Sequence, residues 1–135
     1  MSKRIVLADD EQYIAIAYND GLTRYGYQVT VMHNGEDALN AIQAEKPDIV
    51  LLDLIMPKMN GFQVLKAMKT SDELKDIPVI VLSNLSQATD EQEVLGLGAV
   101  AFMVKADFSL AQVIQRVEDQ IGKPDGQSAL PGDGA

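Results

Sequence analysis

Five short apolar segments recur along the chain at intervals of 20 to 30 residues, and this spacing limits the possible folds more than any other feature. The segments begin at Ile5, Val29, Ile49, Val79 and Val100. Most are continuous rather than alternating and rich in β-branched side chains, as in strands covered on both faces of a parallel sheet. Each interval is long enough to hold a helix and two turns, which is the spacing of βα units.

The segments between these strands carry helical patterns. Asn60 and Ser109 are good N-caps, and Gly26 and Pro47 are good stop signals. The predicted helices cover 10–24, 35–45, 61–68, 86–97 and 110–121. Because strands and helices alternate strictly, we predict an α/β, doubly wound (βα)5 flavodoxin-like fold. Its five-stranded parallel sheet has the order 2-1-3-4-5, with helices on both faces.

Length and composition favour one globular domain over residues 1–122, because 135 residues suit a single core. From Pro124 onward Gly and Pro are frequent, so 123–135 is predicted to be a flexible tail or a linker stub. A net charge of −9 argues against direct nucleic acid binding, and the lack of cysteine excludes disulfides and zinc–thiolate clusters. The apolar stretch near the start is too short for a signal peptide or membrane span, so a cytoplasmic protein is expected.

Polar side chains follow four of the five predicted strands. Asp9 and Asp10 follow the first, Asp53 ends the third, Ser83 follows the fourth and Lys105 follows the fifth. Any one of them could be an ordinary cap, turn former or surface residue. Since ligands bind outside the carboxyl ends of the strands in such sheets, the combination predicts one functional site at that edge.

Three carboxylates at one edge need a counter-charge. Two of them about 4 Å apart repel by roughly 4 kcal/mol at an effective dielectric near 20. Only hard oxygen ligands are available, since the sole histidine, His33, follows the wrong strand and is interpreted as a surface residue. These donors favour Mg²⁺, with Mn²⁺ as the other choice. Lys105 supplies a further positive charge, which we expect to be too small and too far away to replace the metal.

With these residues the chain resembles a known family, the receiver domain of two-component response regulators (CheY-like). The resemblance covers residues 3 to about 122. Its motifs are the acidic pair Asp9-Asp10, the segment DLIMPKMNG over 53–61, and then Ser83, Phe102 and Lys105, in this order. The 53–61 segment is highly specific in company with the others.

The resemblance implies a metal site. Asp10 and Asp53 would ligate Mg²⁺ directly, the backbone carbonyl of Ile55 would be a third protein ligand, and Asp9 would act through a metal-bound water. It also implies that Asp53 is the phospho-acceptor, which takes a phosphoryl group from a kinase phosphohistidine. The domain would then be a signalling switch that takes part in its own phosphorylation and dephosphorylation, rather than an enzyme.

The resemblance assigns the remaining positions to phosphoryl recognition and switching. Lys105 would pair with one phosphoryl oxygen, and the Ser83 hydroxyl would donate a hydrogen bond to another. Phe102 matches the aromatic switch position that turns inward when this hydroxyl moves. Physical chemistry agrees with these roles, because catalysis of phosphoryl transfer is mostly positioning and charge stabilisation.

Three positions depart from the family pattern. Ala106 stands where a cis proline usually follows the lysine, so a trans peptide and a less firmly placed Lys105 are expected. Asn84 replaces a small residue after Ser83, which predicts narrower access to the phosphoryl group or direct contact with it. Phe102 lacks the hydroxyl of the commoner tyrosine.

There are three alternative functions. An aspartyl-phosphate phosphatase of the haloacid-dehalogenase type needs an acid at position 55, where this chain has Ile55. A nucleotide- or flavin-binding domain needs a Gly-rich loop after the first strand, where this chain has three acidic residues. The third alternative is a degenerate receiver that acts as a phosphorylation-independent protein-interaction module, and the Asn84 and Ala106 departures leave it open.

The implied partners are a sensor histidine kinase or phosphotransfer protein, and a downstream effector or second receiver copy. The partner surface usual in this family is formed by the fourth helix, fifth strand and fifth helix. Here it would include Asp90, Glu91, Glu93, Gln112 and Arg116. No effector domain is recognisable, so a stand-alone regulator, a relay shuttle and an excised receiver remain alternatives.

Overall fold

The computed structural model describes residues 3–85 and 87–124. Five parallel strands form one sheet in the order β2-β1-β3-β4-β5, as predicted. The strands are β1 (Arg4–Ala8), β2 (Gln28–Met32), β3 (Ile49–Leu52), β4 (Val79–Ser83) and β5 (Ala101–Val104). The helices are α1 (Gln12–Tyr25), α2 (Gly35–Glu45), α3 (Gly61–Lys69), α4 (Ala88–Gly96) and α5 (Leu110–Ile121), with a short 3-10 helix over Lys105–Asp107.

The sheet is covered on both faces, which explains the continuous apolar runs. Val6, Val50 and Val81 point to a core formed with α2, α3 and α4. The alternate residues of the same strands point to a second core formed with α1 and α5. Since β1, β3 and β4 are central, nearly all of their side chains leave water, whereas the edge strands β2 and β5 are half-buried.

Local capping explains why some helix bounds were predicted correctly. The Asn34 side chain accepts a hydrogen bond from the backbone of Asp37, and α2 starts at Gly35 as expected. Asn60 and Ser109 each form a reciprocal capping box with the glutamine three residues later, at the starts of α3 and α5. Gly26, with φ of 123°, ends α1.

Two predicted helices begin later than expected. The first was predicted from Asp10, but α1 begins at Gln12 because the residues before it form a turn at the sheet edge. The fourth was predicted over 86–97, whereas α4 covers Ala88–Gly96, with Ser86 outside the described residues. The predicted tail over 125–135 also lies outside them, so the domain limits stay a prediction.

Candidate functional site

The loop after β1 places two aspartates differently. Asp9 is buried, and its backbone N–H donates to the Met32 carbonyl of the neighbouring strand. The Asp9 carboxylate accepts a hydrogen bond from the Glu11 N–H at 2.9 Å, which closes the turn before α1. Asp10 stands exposed at the rim. One carboxylate is thus held inside the edge of the sheet, and the next faces the solvent above it.

Asp53 follows β3 and is buried, with an exposed fraction of 3%. Its N–H donates to the Ala8 carbonyl at 2.9 Å, which continues the ladder between the central strands. The Gly61 N–H donates to the Leu54 carbonyl at 2.9 Å, so the start of α3 lies against the backbone just past Asp53. The carboxylate therefore projects from a backbone that is held on two sides.

Lys105 brings the site together. Its Nζ atom lies 2.8 Å from Asp9 Oδ2, 3.0 Å from Glu11 Oε1 and 3.1 Å from Asp53 Oδ2. The expectation that Lys105 lies too far away to replace the metal was therefore wrong as to the distance, because the 3-10 turn after β5 directs the side chain across the sheet edge. The expectation of a loosely placed lysine was also wrong. The bond to Ala106 is trans, yet Lys105 is buried among three carboxylates.

Burial and charge shift the ionisation of this cluster. Removal from water raises the pKa of Asp53 to about 6, helped by the negative charge of Asp9, while Lys105 opposes the rise. Burial alone would lower the pKa of Lys105. Its hydrogen bonds to Asp9 and Glu11 and the charge of Asp53 outweigh burial and raise this pKa above its usual value. Lys105 therefore stays charged and partly compensates the acidic groups.

Three of the predicted metal ligands lie close together. Asp9, Asp10 and Asp53 each offer an oxygen, and these oxygens lie within 4.8 Å of one another. Mg²⁺ and Mn²⁺ favour oxygen ligands, and these carboxylates supply a compact set of them. The Ile55 side chain is exposed, and its N–H lies 3.4 Å from Asp53 Oδ1. The residues present therefore fit the implied metal.

Ser83 and Phe102 lie on one face of the sheet. Ser83 is fully buried, and its Oγ accepts a hydrogen bond from the Leu85 N–H at 3.1 Å. In the register of β4 and β5, Val81 pairs with Phe102 and Ser83 pairs with Val104. Phe102 is thus a diagonal neighbour of Ser83, and its half-buried ring packs on the core beneath α4.

Glu11 belongs to the site, although the sequence did not predict it. Glu11 Oε1 accepts hydrogen bonds from both Lys105 Nζ and Asn84 Nδ2, the second at 2.7 Å. Its position directly after the aspartate pair was a signal, but the partners of a flexible glutamate depend on its rotamer. Asn84, expected at the mouth of the site, lies there and contacts Glu11.

A cleft of about 390 Å³ opens beside Lys105, between α1 and the loops after β4 and β5. It is lined by Tyr13, Ile14, Ala17, Tyr18, Asn84, Lys105 and Ala106. Tyr13, at the outer end of the cleft, is 90% exposed. Tyr18 is buried, and this burial raises the pKa of its phenol. The acidic cluster thus adjoins a largely apolar opening.

The proposed partner surface contains ordinary helix positions. Glu91, Glu93 and Arg116 are exposed, and Asp90 is half-buried. Gln112 is exposed but already occupied, since its side chain accepts from the Ser109 N–H in the capping box. His33 is exposed, as expected, and its Nδ1 atom lies 3.0 Å from the Asp9 carbonyl oxygen.

Fold and site together define a flavodoxin-like α/β domain with a lysine-braced acidic site at the carboxyl edge of its sheet. Residues 5–118 match the family described as "Response regulator receiver domain". The chain therefore belongs to the response regulator receiver domain family, as its motifs predicted. In the part of the chain that the structure describes, no helix is long and apolar enough to cross a bilayer.

Several known proteins are similar to this chain. It is 37% identical over 105 residues to sporulation initiation phosphotransferase F of Bacillus subtilis, covering 78% of this chain and 83% of that protein. It is 35% identical over 118 residues to the alkaline phosphatase synthesis transcriptional regulatory protein PhoP of Bacillus subtilis, covering 87% of this chain but only 48% of that one. The Francisella response regulator 1452 receiver domain superimposes with a TM-score of 0.81 and 28% identity, covering 88% of this chain and 96% of that one.

Proposed function

We propose that this receiver domain is a Mg²⁺-dependent switch that accepts a phosphoryl group from a phosphohistidine on Asp53. The observation that carries the proposal is the buried contact of Lys105 Nζ with Asp53 Oδ2, beside buried Asp9 and exposed Asp10. Asp10, Asp53 and the Ile55 carbonyl would hold the metal, with Asp9 acting through a metal-bound water. When bound, the metal would neutralise charge on the phosphoryl oxygens.

The chemistry needs few groups. An oxygen of Asp53 attacks phosphorus, the bond from phosphorus to the histidine nitrogen breaks, and the imidazole leaves with that electron pair. Lys105 already points at the nucleophilic carboxylate, so it would pair with one phosphoryl oxygen. Ser83 would donate its hydroxyl hydrogen to another phosphoryl oxygen. The contact with Leu85 does not use this donor, because the Ser83 hydroxyl oxygen is the acceptor there.

Switching would follow from the neighbouring position of Ser83 and Phe102. Movement of the Ser83 hydroxyl toward a phosphoryl oxygen would open space beside it on the same face of the sheet. The Phe102 ring, which has no hydroxyl to satisfy, would turn into this space and change the surface near α4, β5 and α5. The proposed role is thus that of a signalling domain rather than of an enzyme.

The proposed partners follow from this role and from the relatives. A sensor histidine kinase or a phosphotransfer protein would supply the phosphoryl group, in line with the phosphotransferase among the relatives. An effector protein or a second receiver copy would read the altered surface. The chain spans about half the length of two of its curated relatives. A net charge of −9 argues against direct nucleic acid binding by this domain.

Intact-mass spectrometry after incubation with acetyl phosphate tests the proposal, with and without Mg²⁺. We expect one phosphoryl group on the wild type with Mg²⁺, none on Asp53→Asn, and normal labelling of the surface control Asp72→Asn. Labelling of Asp53→Asn would refute Asp53 as the acceptor. An unlabelled wild type that also fails to bind Mg²⁺ would instead indicate a phosphorylation-independent interaction module.

A further inference from the structure

One carboxylate oxygen of Glu11 links three loops at the mouth of the site. Glu11 precedes α1, and its Oε1 accepts from Lys105 Nζ at 3.0 Å and from Asn84 Nδ2 at 2.7 Å. Lys105 follows β5 and Asn84 follows β4. Both bonds are charge-assisted, which makes them stronger than bonds between neutral groups. We call the Glu11–Asn84 pair the clasp.

The ammonium of Lys105 is already in contact with three carboxylates. It carries three N–H donors, and its three short contacts are to Asp9, Glu11 and Asp53. A phosphoryl oxygen on Asp53 needs one of these donors. Phosphorylation turns the Asp53 carboxylate into an acyl phosphate and frees its donor, and any further contact of Lys105 with the phosphoryl oxygens must displace Asp9 or Glu11.

Burial decides which carboxylate is released. The side chains of Asp9 and Asp53 are 1% and 4% exposed, whereas that of Glu11 is 40% exposed. A buried carboxylate that loses its cation stays out of water, which costs far more than returning a half-exposed carboxylate to solvent. Glu11 is thus the partner that Lys105 gives up most easily, and Asn84 holds Glu11 in place against this release.

We propose that Glu11 and Asn84 are positioning residues that compete with the phosphoryl group for Lys105. In the clasp, the hydrogen bond from Asn84 keeps Glu11 in contact with Lys105. This contact lowers the affinity of the site for a phosphoryl group and the rate of phosphorylation. This inference depends on the proposed phosphorylation of Asp53. Asn84, which stands where the family usually has a small residue, would thus act through Glu11 rather than only by narrowing access to the site.

Binding of beryllofluoride, a tetrahedral phosphoryl analogue, reports on this competition without a phosphoryl transfer reaction. Its dissociation constant is measured by calorimetry with Mg²⁺ for the wild type, Asn84→Ala, Glu11→Ala and the double variant. Asn84→Ala changes no charge, yet we expect it to tighten binding by about threefold or more, in line with the loss of a hydrogen bond to a charged group. In the Glu11→Ala background, Asn84→Ala should have no further effect.

The double variant separates the clasp from a steric effect. If Asn84 only blocks the mouth, its replacement will tighten binding equally with and without Glu11, and the inference is wrong. An unchanged affinity in Asn84→Ala overturns it as well. Glu36→Gln, which removes an exposed charge on α2, should leave the affinity close to that of the wild type.

Rates with acetyl phosphate complete the test. Asn84→Ala should be phosphorylated faster than the wild type, again only where Glu11 is present. A wild type that binds beryllofluoride and is phosphorylated, with an Asn84→Ala variant that behaves identically, refutes the clasp alone. A wild type that does neither refutes the proposed function and the clasp with it.

Discussion

Lys105 Nζ lies 2.8 Å from Asp9 Oδ2, and both side chains are almost completely removed from water, with exposed fractions of 4% and 1%. A buried ion pair gains little over a well-packed apolar pair, because both charges lose their hydration. Removal of one partner is different, since it leaves an uncompensated charge inside the protein. Lys105 therefore stabilises the fold in addition to its role in the proposed chemistry.

The first prediction concerns Lys105→Ala. Without metal, this change leaves buried Asp9 and Asp53 without their cation, so the free energy of unfolding should fall by about 3 kcal/mol. Mg²⁺ should restore part of the loss, because the metal replaces the missing positive charge. Urea unfolding with and without Mg²⁺ measures both effects. Lys75→Ala, which breaks only an exposed pair with Asp72, should change stability by less than about 1 kcal/mol. Equal effects of the two changes would contradict this account.

The second prediction is a dependence on pH. The pKa of Asp53 is raised from 3.8 to about 6 in the folded state, so ionisation of Asp53 destabilises the fold as pH rises through this range. Asp53→Asn lacks this ionisation. With metal chelated, it should be more stable than the wild type by roughly 2–3 kcal/mol at pH 7.5 and equally stable below about pH 4. Thermal unfolding at several pH values measures the difference. If Asp53→Asn raised stability equally at pH 7.5 and below about pH 4, ionisation of Asp53 would not be the cause of the increase.

The fold was predictable wherever the sequence carries its own boundary signals. α2 and α5 have the predicted bounds because Asn34 and Ser109 cap their first turns. The start of α1 was placed too early because Asp10 and Glu11 are compatible with a helix, while the tertiary contacts at the sheet edge hold them in a turn. The strand order followed from the strict alternation of strands and helices, because 2-1-3-4-5 is a common order of doubly wound sheets.

The site was predictable at the level of strand ends but not of side-chain contacts. Parallel strands place their carboxyl ends at one edge, so the convergence of Asp9, Asp53 and Lys105 followed from the fold. The distance that Lys105 spans depends on its rotamer and on the 3-10 turn that begins at this residue. The bonds of Glu11 depend equally on rotamers, which residue type and spacing do not determine.

The third prediction concerns the metal. Mg²⁺ that binds only the folded state stabilises it in proportion to the logarithm of its concentration, by about 1.4 kcal/mol at ten times the dissociation constant. Asp10→Ala removes an exposed carboxylate from the oxygen cluster, so Mg²⁺ should no longer raise the midpoint of thermal unfolding. Asp72→Ala removes an exposed charge elsewhere and should keep the response. A full Mg²⁺ response in Asp10→Ala would exclude Asp10 as a ligand.

The backbone of the acceptor loop leaves no room for a side chain at Gly61. A Cβ atom there would lie 2.2 Å from the Asp53 carbonyl oxygen and 2.8 Å from the Leu54 Cα atom. Both neighbours are backbone atoms, so no rotamer change can relieve the contact. The close approach of α3 to the loop after β3 thus depends on glycine at this position.

The fourth prediction compares two glycine-to-alanine changes. Gly61→Ala must push α3 and the Asp53 loop apart, so it should lower the free energy of unfolding by about 2 kcal/mol or more and slow labelling by acetyl phosphate. Gly96 ends α4 with open space where a Cβ atom would lie, and Gly96→Ala should raise stability by about 0.5–1 kcal/mol, because alanine favours the helix. Urea unfolding and the labelling rate give both readouts. If Gly61→Ala kept normal stability and labelling, the Asp53 backbone would not be held by α3.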